Sequence, residues 1–113
     1  MFVRIYTGKD GQSHFENFTP PFTPSGQAQP PMQATKGIIF NRFEAGHFMD
    51  WHHAPRRQYV ITLSGQMEIV TGDGTTRRFG PGDVLLAEDL TGKGHTTRVV
   101  GKEPRISAAI PLA

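Results

Sequence analysis

Histidine, glutamine and arginine side chains are concentrated in one short stretch of this 113-residue chain. The stretch DWHHAPRRQYVITLSG, residues 50–65, places two adjacent histidines before an Arg-Arg-Gln run. Adjacent residues of a β-strand point to opposite faces, so His52 and His53 cannot both look the same way. One histidine of this pair, together with Gln58 and the later His95, could therefore converge inside a β-structure.

Two imidazoles and one amide oxygen form a donor set that suits a borderline divalent metal such as Fe, Ni, Zn, Mn or Cu. The set contains no carboxylate, so the site would carry more positive charge than a histidine–carboxylate centre. A histidine in a β protein is also often a hydrogen-bonded core or surface residue, and spacing alone leaves that alternative open. The chain has no cysteine, which excludes disulfides, thiolate metal sites and cysteine nucleophiles.

Three residues near the histidine pair are candidates for contacts with a substrate. Arg56 and Arg57 are either a solvated pair at the rim of the site or a bidentate site for a substrate carboxylate. Thr62 shares a strand face with Gln58, because side chains on one face recur every second residue. We therefore expect Arg56, Arg57 and Thr62 to lie near a bound substrate.

Two acidic residues precede the last candidate histidine. Glu88 and Asp89 could pair with the two arginines, and Glu88 is also the carboxylate expected closest to the pocket, where it could act as a general base. If the chain is an enzyme, the candidates for a catalytic residue are Glu88 and Arg57.

The composition predicts a single all-β domain. The chain has 13 Gly, 9 Pro and an apolar fraction of 36%, and no window shows a convincing helical period. Runs rich in Val, Ile, Phe, Thr and Tyr predict strands at 2–7, 37–43, 48–54, 58–63, 66–70, 75–79, 84–88, 95–100 and 105–112. Short strands at this spacing, without a fixed-period repeat, are typical of a β-sandwich or a closed barrel.

A proline-rich segment separates the first strand from the others. The segment TPPFTPSGQAQPP, residues 19–31, must be extended and cannot lie at the centre of a sheet. It is either a loose loop or an arm that crosses the barrel or a partner subunit, with Phe22 as its apolar anchor. We accordingly divide the chain into residues 1–36, the N-terminal strand and this arm, and residues 37–113, the main β-barrel.

Charge and hydropathy exclude several classes of partner. The net charge is +2 and the basic residues are scattered, so we expect no binding to nucleic acid. No apolar run approaches the roughly 18 residues that span a bilayer, and no signal peptide is visible at the start. We therefore expect a cytoplasmic, soluble protein whose partner is a small molecule.

One region of the chain resembles the two motifs of the small single-domain cupins. In the first motif a Gly is followed after five residues by His-any-His, then by a Glu and a second Gly. Gly46, His52, Gln58 and Gly65 keep this spacing. Ala54 stands where the motif has its second His, and Gln58 stands where it has the Glu.

The second cupin motif begins with a Pro-Gly-Asp turn and ends with a histidine. Residues 81–83 and the strand that follows resemble its opening, and His95 resembles its final histidine. Glu88 replaces a proline of the motif, and the loop before His95 is about two residues longer than usual. The resemblance covers residues 37–112.

The resemblance implies a cupin-type jelly-roll barrel in which His52 faces inward and His53 outward. It also implies that His52, Gln58 and His95 bind one divalent transition metal, with Gln58 in place of the carboxylate. The implied function is that of a small metal-binding cupin enzyme acting on a small organic substrate, with dioxygenase, isomerase and lyase chemistry all open. The alternative is a cupin that binds a small ligand without metal and without catalysis.

Small cupins also pair with one another through their sheet edges, so the resemblance implies a homodimer. The segments that we expect to cross to the partner subunit are residues 2–7 and residues 19–31.

Overall fold

The computed structural model describes residues 1–26 and 32–113, which form ten β-strands and no helix. The strands are β1 Phe2–Thr7, β2 Ser13–Asn17, β3 Ile39–Phe43, β4 Phe48–His52, β5 Gln58–Ser64, β6 Gln66–Thr71, β7 Thr76–Phe79, β8 Val84–Glu88, β9 His95–Val100 and β10 Arg105–Pro111. The prediction of an all-β chain is confirmed, and β2 alone has no counterpart among the predicted strands. Within the described residues there is no helix long and apolar enough to cross a membrane.

The strands form two sheets that enclose a common interior. The larger sheet has the order β2-β1-β8-β5-β10-β3, and the smaller has the order β4-β9-β6-β7. From β3 onward the chain passes repeatedly between the sheets, which is the strand exchange of a jelly roll. Paired neighbours are antiparallel except β1 and β8, which run parallel.

The first strand lies inside the larger sheet rather than at its edge. It pairs with β2 on one side and with β8 on the other. A strand that is paired on both sides offers no free edge, so this position does not fit the expectation that residues 2–7 cross to a partner subunit. The edge strands are β2 and β3 of the larger sheet and β4 and β7 of the smaller.

The proline-rich segment begins against β1 of the same chain. Phe22 is largely exposed, but its ring packs edge-on against Phe2 with 5.7 Å between the ring centroids. Phe18 contacts the same ring at 5.8 Å. Of the predicted arm over residues 19–31, residues 27–31 lie outside the described part of the chain, so a crossing to a partner stays a prediction.

One hydrophobic core fills the space between the sheets. Its buried members come from both sheets and from the segment before residue 37, and they are Val3, Ile5, Ala54, Met67, Ile69, Phe79, Leu85 and Ala87. Because Val3 and Ile5 are fully buried in it, the N-terminal strand shares the core of the barrel.

A glycine sets the distance between β4 and β9. Gly94 has a φ of +78°, and a Cβ at this position would collide with the backbone carbonyl of His52. Only glycine combines this left-handed conformation with so close an approach of two backbones. The start of β9 therefore lies directly against the end of β4, where His52 pairs with His95.

We expect Gly94→Ala to lower the free energy of unfolding by about 2–3 kcal/mol, because it adds backbone strain and also pushes β4 away from β9. Gly74→Ala is the matched control, since Gly74 has a φ of +85° but open space where the alanine methyl group would lie. It should cost only the backbone strain, about 1 kcal/mol. Urea denaturation of the two variants measures the difference, and equal losses would contradict the close approach at Gly94.

Candidate functional site

A cavity of about 190 Å³ lies between the two sheets. His52 from β4, Gln58 from β5 and His95 from β9 all line it. Ala54, at the position of the missing second histidine, lines it as well, and most of the remaining wall is apolar. Three strands therefore bring the three predicted metal ligands to one cavity.

The two adjacent histidines face opposite ways. His52 is half-buried and lines the cavity, whereas His53 is exposed and its Nδ1 lies 3.0 Å from the carbonyl oxygen of Ala54. Trp51 is also exposed. The alternation of side chains along a strand thus separates the residue that can reach a ligand in the cavity from the one that cannot.

Both cavity histidines are held through Nδ1. The His52 Nδ1 lies 2.7 Å from the Asp50 carbonyl oxygen, and the His95 Nδ1 lies 2.6 Å from Asp89 Oδ2. A carbonyl oxygen can only accept, so the His52 Nδ1 donates, and the carboxylate likewise accepts from His95. In the neutral rings this places the lone pair on Nε2, the atom left to bind a metal ion.

The distance between the His52 and His95 rings bears on whether both could bind one metal ion. Their centroids are 4.6 Å apart, and their planes are inclined by 60°. Two imidazoles that bind one ion at N–metal distances of about 2.0–2.1 Å have centroids roughly 4.5–5 Å apart, depending on the angle at the metal. The centroid separation of His52 and His95 is therefore compatible with a common metal ion.

A buried carboxylate orients His95. Asp89 is fully buried, and its Oδ2 accepts hydrogen bonds from His95 Nδ1 and from Ser13 Oγ, both at 2.6 Å. A carboxylate behind an imidazole fixes its tautomer and ring orientation, as is usual for metal-binding histidines. The expectation that Asp89 pairs with an arginine is wrong, because the backbone turns its side chain inward toward β2 and β9 rather than to the rim.

Glu88 and Arg57 lie outside the cavity. Arg57 Nε donates to Glu88 Oε2 at 2.6 Å, and Arg4 Nε donates to Oε1 at 2.8 Å. Desolvation raises the pKa of Glu88, but the hydrogen bonds from Arg57 and Arg4 outweigh it and hold the pKa below its ordinary value. Ala87 lines the cavity, so the next residue points to the other face of the sheet. The structure does not bring these two catalytic candidates to the cavity.

Arg56 reaches the site only through Gln58. Its Nη1 donates to Gln58 Oε1 at 3.1 Å, but Arg56 itself is exposed and does not line the cavity. Gln58 is buried, and its amide oxygen keeps a second lone pair for another partner. Arg56 is therefore placed to orient Gln58 rather than to contact a ligand inside the cavity.

The cavity also contains an arginine that no sequence motif indicates. Arg105, at the start of β10, is only 4% exposed and lines the cavity. Its Nη2 donates to Thr62 Oγ1 at 3.1 Å, so Thr62 contacts the arginine rather than the cavity. Burial lowers the pKa of Arg105 to about 10, so it remains charged at neutral pH.

The donor set of the cavity fits a transition metal. Among residues 1–26 and 32–113, no three His, Cys, Asp or Glu side chains form a group that could hold an ion. His52 and His95 supply two imidazole nitrogens from the smaller sheet, and Gln58 can add an amide oxygen from the larger sheet. Nitrogen and oxygen donors of this kind suit a borderline divalent metal, and Ala54 leaves space for water or a ligand to complete the shell.

Comparisons with known proteins identify the fold. No family model and no curated protein matches this sequence. An uncharacterized conserved protein with a double-stranded β-helix domain from Klebsiella pneumoniae has a similar structure, with a TM-score of 0.53 and 20% identity over 81% of this chain and 83% of that one. A sugar phosphate isomerase of the cupin superfamily from Silicibacter pomeroyi gives a TM-score of 0.54 and 20% identity over 92% of this chain and 60% of that one. This chain has the cupin fold.

The predicted cupin-type jelly roll is thereby confirmed. A conserved protein of unknown function from Streptococcus pyogenes is also similar, with a TM-score of 0.51 and 18% identity over 74% of this chain and 70% of that one. Identities this low define the fold alone, so the chemistry of this chain must be argued from its own cavity.

We expect Asp89→Ala to lower the free energy of unfolding by about 1–3 kcal/mol, because it leaves buried polar atoms of Ser13 and His95 without a partner. It should also release the His95 ring from the Nδ1-protonated form, which nitrogen NMR of the imidazole detects. Asp73→Ala is the control, since Asp73 accepts hydrogen bonds in an exposed turn. An unchanged His95 spectrum in Asp89→Ala would contradict the orienting role of the carboxylate.

Proposed function

We propose that this cupin binds one divalent transition-metal ion and acts on a small organic molecule held in the same cavity. The ligands would be His52 and His95, with Gln58 as the third. The observation that carries the proposal is the pair of imidazoles that line the cavity, with ring centroids 4.6 Å apart and each ring held through Nδ1, which leaves Nε2 as the metal-binding atom. Fe, Ni, Zn, Mn and Cu all suit such donors.

In this proposal a bound metal ion and the residues of the cavity have different roles. A bound ion would supply a Lewis acid that polarises an oxygen of the ligand. Asp89 keeps the His95 imidazole in one tautomer and one orientation, so that its Nε2 needs no rearrangement to bind. The apolar wall limits the water around the ligand, which strengthens the electrostatic contacts inside. Ala54 leaves room beside His52 for the ligand.

Isomerase, dioxygenase and lyase reactions are the classes to assay. The isomerase from Silicibacter pomeroyi shares the fold, which supports including isomerisation of small oxygenated substrates among them. Glu88 and Arg57 are the sequence-based candidates for a catalytic residue, but their mutual ion pair outside the cavity favours neither as a proton carrier for a bound ligand.

Metal analysis of the purified protein tests the proposal. The full chain, produced without added metal, should contain about one equivalent of a transition metal per chain. His52→Ala and His95→Ala should each reduce the content to roughly a tenth or less, because each removes one of two imidazole ligands. His53→Ala is the matched control, since the adjacent histidine is exposed and faces away; it should retain the metal.

Two results would contradict the site. Retention in His52→Ala with loss in His53→Ala would invert the assigned orientation of the two histidines. Absence of metal, with no uptake from added Fe, Ni, Zn, Mn or Cu, would favour the alternative of a cupin that binds a small ligand without a metal.

We further propose that the protein is a homodimer that pairs through β3. This strand is a free edge of the larger sheet, and its Ile39 and Phe40 are exposed, as is the preceding Ile38. An apolar, unpaired edge strand tends to associate with another strand. In a homodimer that strand is β3 of the second copy of the chain.

Phe40→Glu should shift the protein from dimer to monomer, because it places a charge in the apolar edge. Since Phe40 is 67% exposed in the single chain, the fold should tolerate the change. Leu90→Glu, a similar substitution of an exposed apolar residue outside β3, is the control. Light scattering coupled to gel filtration measures the mass. A Phe40→Glu variant that remains dimeric would contradict pairing through β3.

A further inference from the structure

Arg105 is a buried positive charge without a counter-ion in this chain. Its side chain is 4% exposed, and none of the ion pairs formed by residues 1–26 and 32–113 includes it. Residues 27–31 contain no Asp or Glu that could supply the missing charge. A guanidinium taken out of water carries a large desolvation penalty, which only a paired anion offsets. The chain retains that penalty at one of the walls of its cavity.

Most of the hydrogen-bonding capacity of Arg105 is unused. A guanidinium carries several N–H donors in a planar fork. Thr62 Oγ1 accepts one bond from Nη2, and the Nε–H is buried without a partner among the described residues. Asp89, the one fully buried carboxylate among the described residues, accepts bonds from Ser13 and His95 at Oδ2, and its Oδ1 makes no hydrogen bond to Arg105. Thr62 is therefore the one side-chain hydrogen-bond partner of Arg105 among the described residues.

The surroundings of Arg105 favour an anionic ligand. Among the described residues that line the cavity, none is Asp or Glu. His52 and His95 line the same cavity from the smaller sheet, and a metal ion bound there would add further positive charge. The cavity thus has a net positive character in an apolar enclosure, where an anion interacts more strongly than it would in water.

The backbone holds Arg105 in place before a ligand arrives. A Cβ at Gly65 would collide with the Pro104 carbonyl and the Arg105 Cα, so the turn between β5 and β6 is in direct backbone contact with the start of β10. Arg105 also pairs in register with Phe43 of β3. These contacts fix the backbone of Arg105, and the bond to Thr62 holds its Nη2, so the side chain loses less conformational entropy on binding.

We propose that Arg105 binds the carboxylate of a small organic acid in the cavity, through parallel hydrogen bonds from its guanidinium fork. This deepens the proposed function, because it names the ligand class of the same cavity. A carboxylate matches the planar fork, and its single negative charge matches the single guanidinium. A phosphate monoester brings about −1.5 to −2 charges and needs more donors. The volume of about 190 Å³ lies below that of sites for drug-sized ligands, which favours an acid of few atoms.

The test compares charged and neutral probes of the same shape. The full chain is stripped with a chelator, dialysed free of it into a low-salt buffer without carboxylates, and titrated with lactate and pyruvate. Lactamide and pyruvamide are the neutral counterparts, and inorganic phosphate and glycerol phosphate are the alternative anions. Nitrogen–proton NMR follows the Arg105 Nε–H. Lactate or pyruvate should shift this signal in a saturable way, and the amides should not.

Three variants separate the guanidinium from general effects of charge. Arg105→Met should weaken acid binding at least about tenfold, because it removes both the charge and the fork. Arg105→Lys should weaken it to an intermediate degree, since an ammonium keeps the charge but not the parallel hydrogen bonds. Arg42→Met is the matched control: Arg42 lies on the neighbouring strand β3 with an exposed side chain, and it should leave binding unchanged.

The melting temperature distinguishes a ligand-binding arginine from a structural one. If Arg105 is kept for a ligand, Arg105→Met should melt at the same or a higher temperature in the absence of acid, because an unpaired buried charge is removed. A much lower melting temperature, with unchanged acid binding in Arg105→Lys, would show a structural role and overturn the proposal.

The remaining outcomes are also decisive. The proposal would be overturned by equal binding of acids and amides, by no binding of either acid, or by full binding in Arg105→Met. Tighter binding of a phosphate would overturn the assignment of a carboxylate ligand. Because the protein is free of metal in this test, its failure is independent of the metal analysis. Acid binding without metal uptake would mark a metal-free binding protein, and the reverse would mark a metal site for another ligand class.

Discussion

The pairing of β4 with β9 is the constraint on which the cavity depends. It sets His52 opposite His95. The close contact at Gly94 keeps the two backbones near enough for both rings to approach the same ligand in the cavity. Asp89 then fixes the second ring from behind, with Ser13 as its other partner. Ser13 begins β2, so the N-terminal hairpin takes part in holding the site although it lies far from it along the chain.

The cavity combines features that oppose one another energetically. Its apolar walls belong to the hydrophobic core and stabilise the fold. Arg105 and Asp89 are charged groups that the same core must bury, and each has a side-chain atom without a hydrogen-bond partner among the described residues. Proteins keep such costs mainly where function needs them, and here both lie at the cavity or directly behind it.

Local pattern is enough to predict most strands and the separation of His52 from His53, because turns and side-chain alternation are properties of neighbouring residues. Pattern cannot show which face of β8 or β10 lies inside, since that depends on pairing with distant strands. Glu88 is therefore expected near a ligand, although Arg4, 84 residues away, binds it on the outer face. Arg105 escapes prediction for the same reason: alternation places it with Ser107 on one face, but only the assembled sheets show that this face is the interior.

The parallel pairing of β1 with β8 has a consequence for how the chain acquires its fold during synthesis. Phe2 lies beside Val84 and Tyr6 beside Glu88, so β1 has to await a strand that is synthesised much later. Until then β2 can cover one of its edges through a short turn, and the other edge stays open. Contacts between segments so distant along a chain form slowly. The hairpin of β1 and β2 can therefore form early, whereas the larger sheet can close only after β10 has been synthesised.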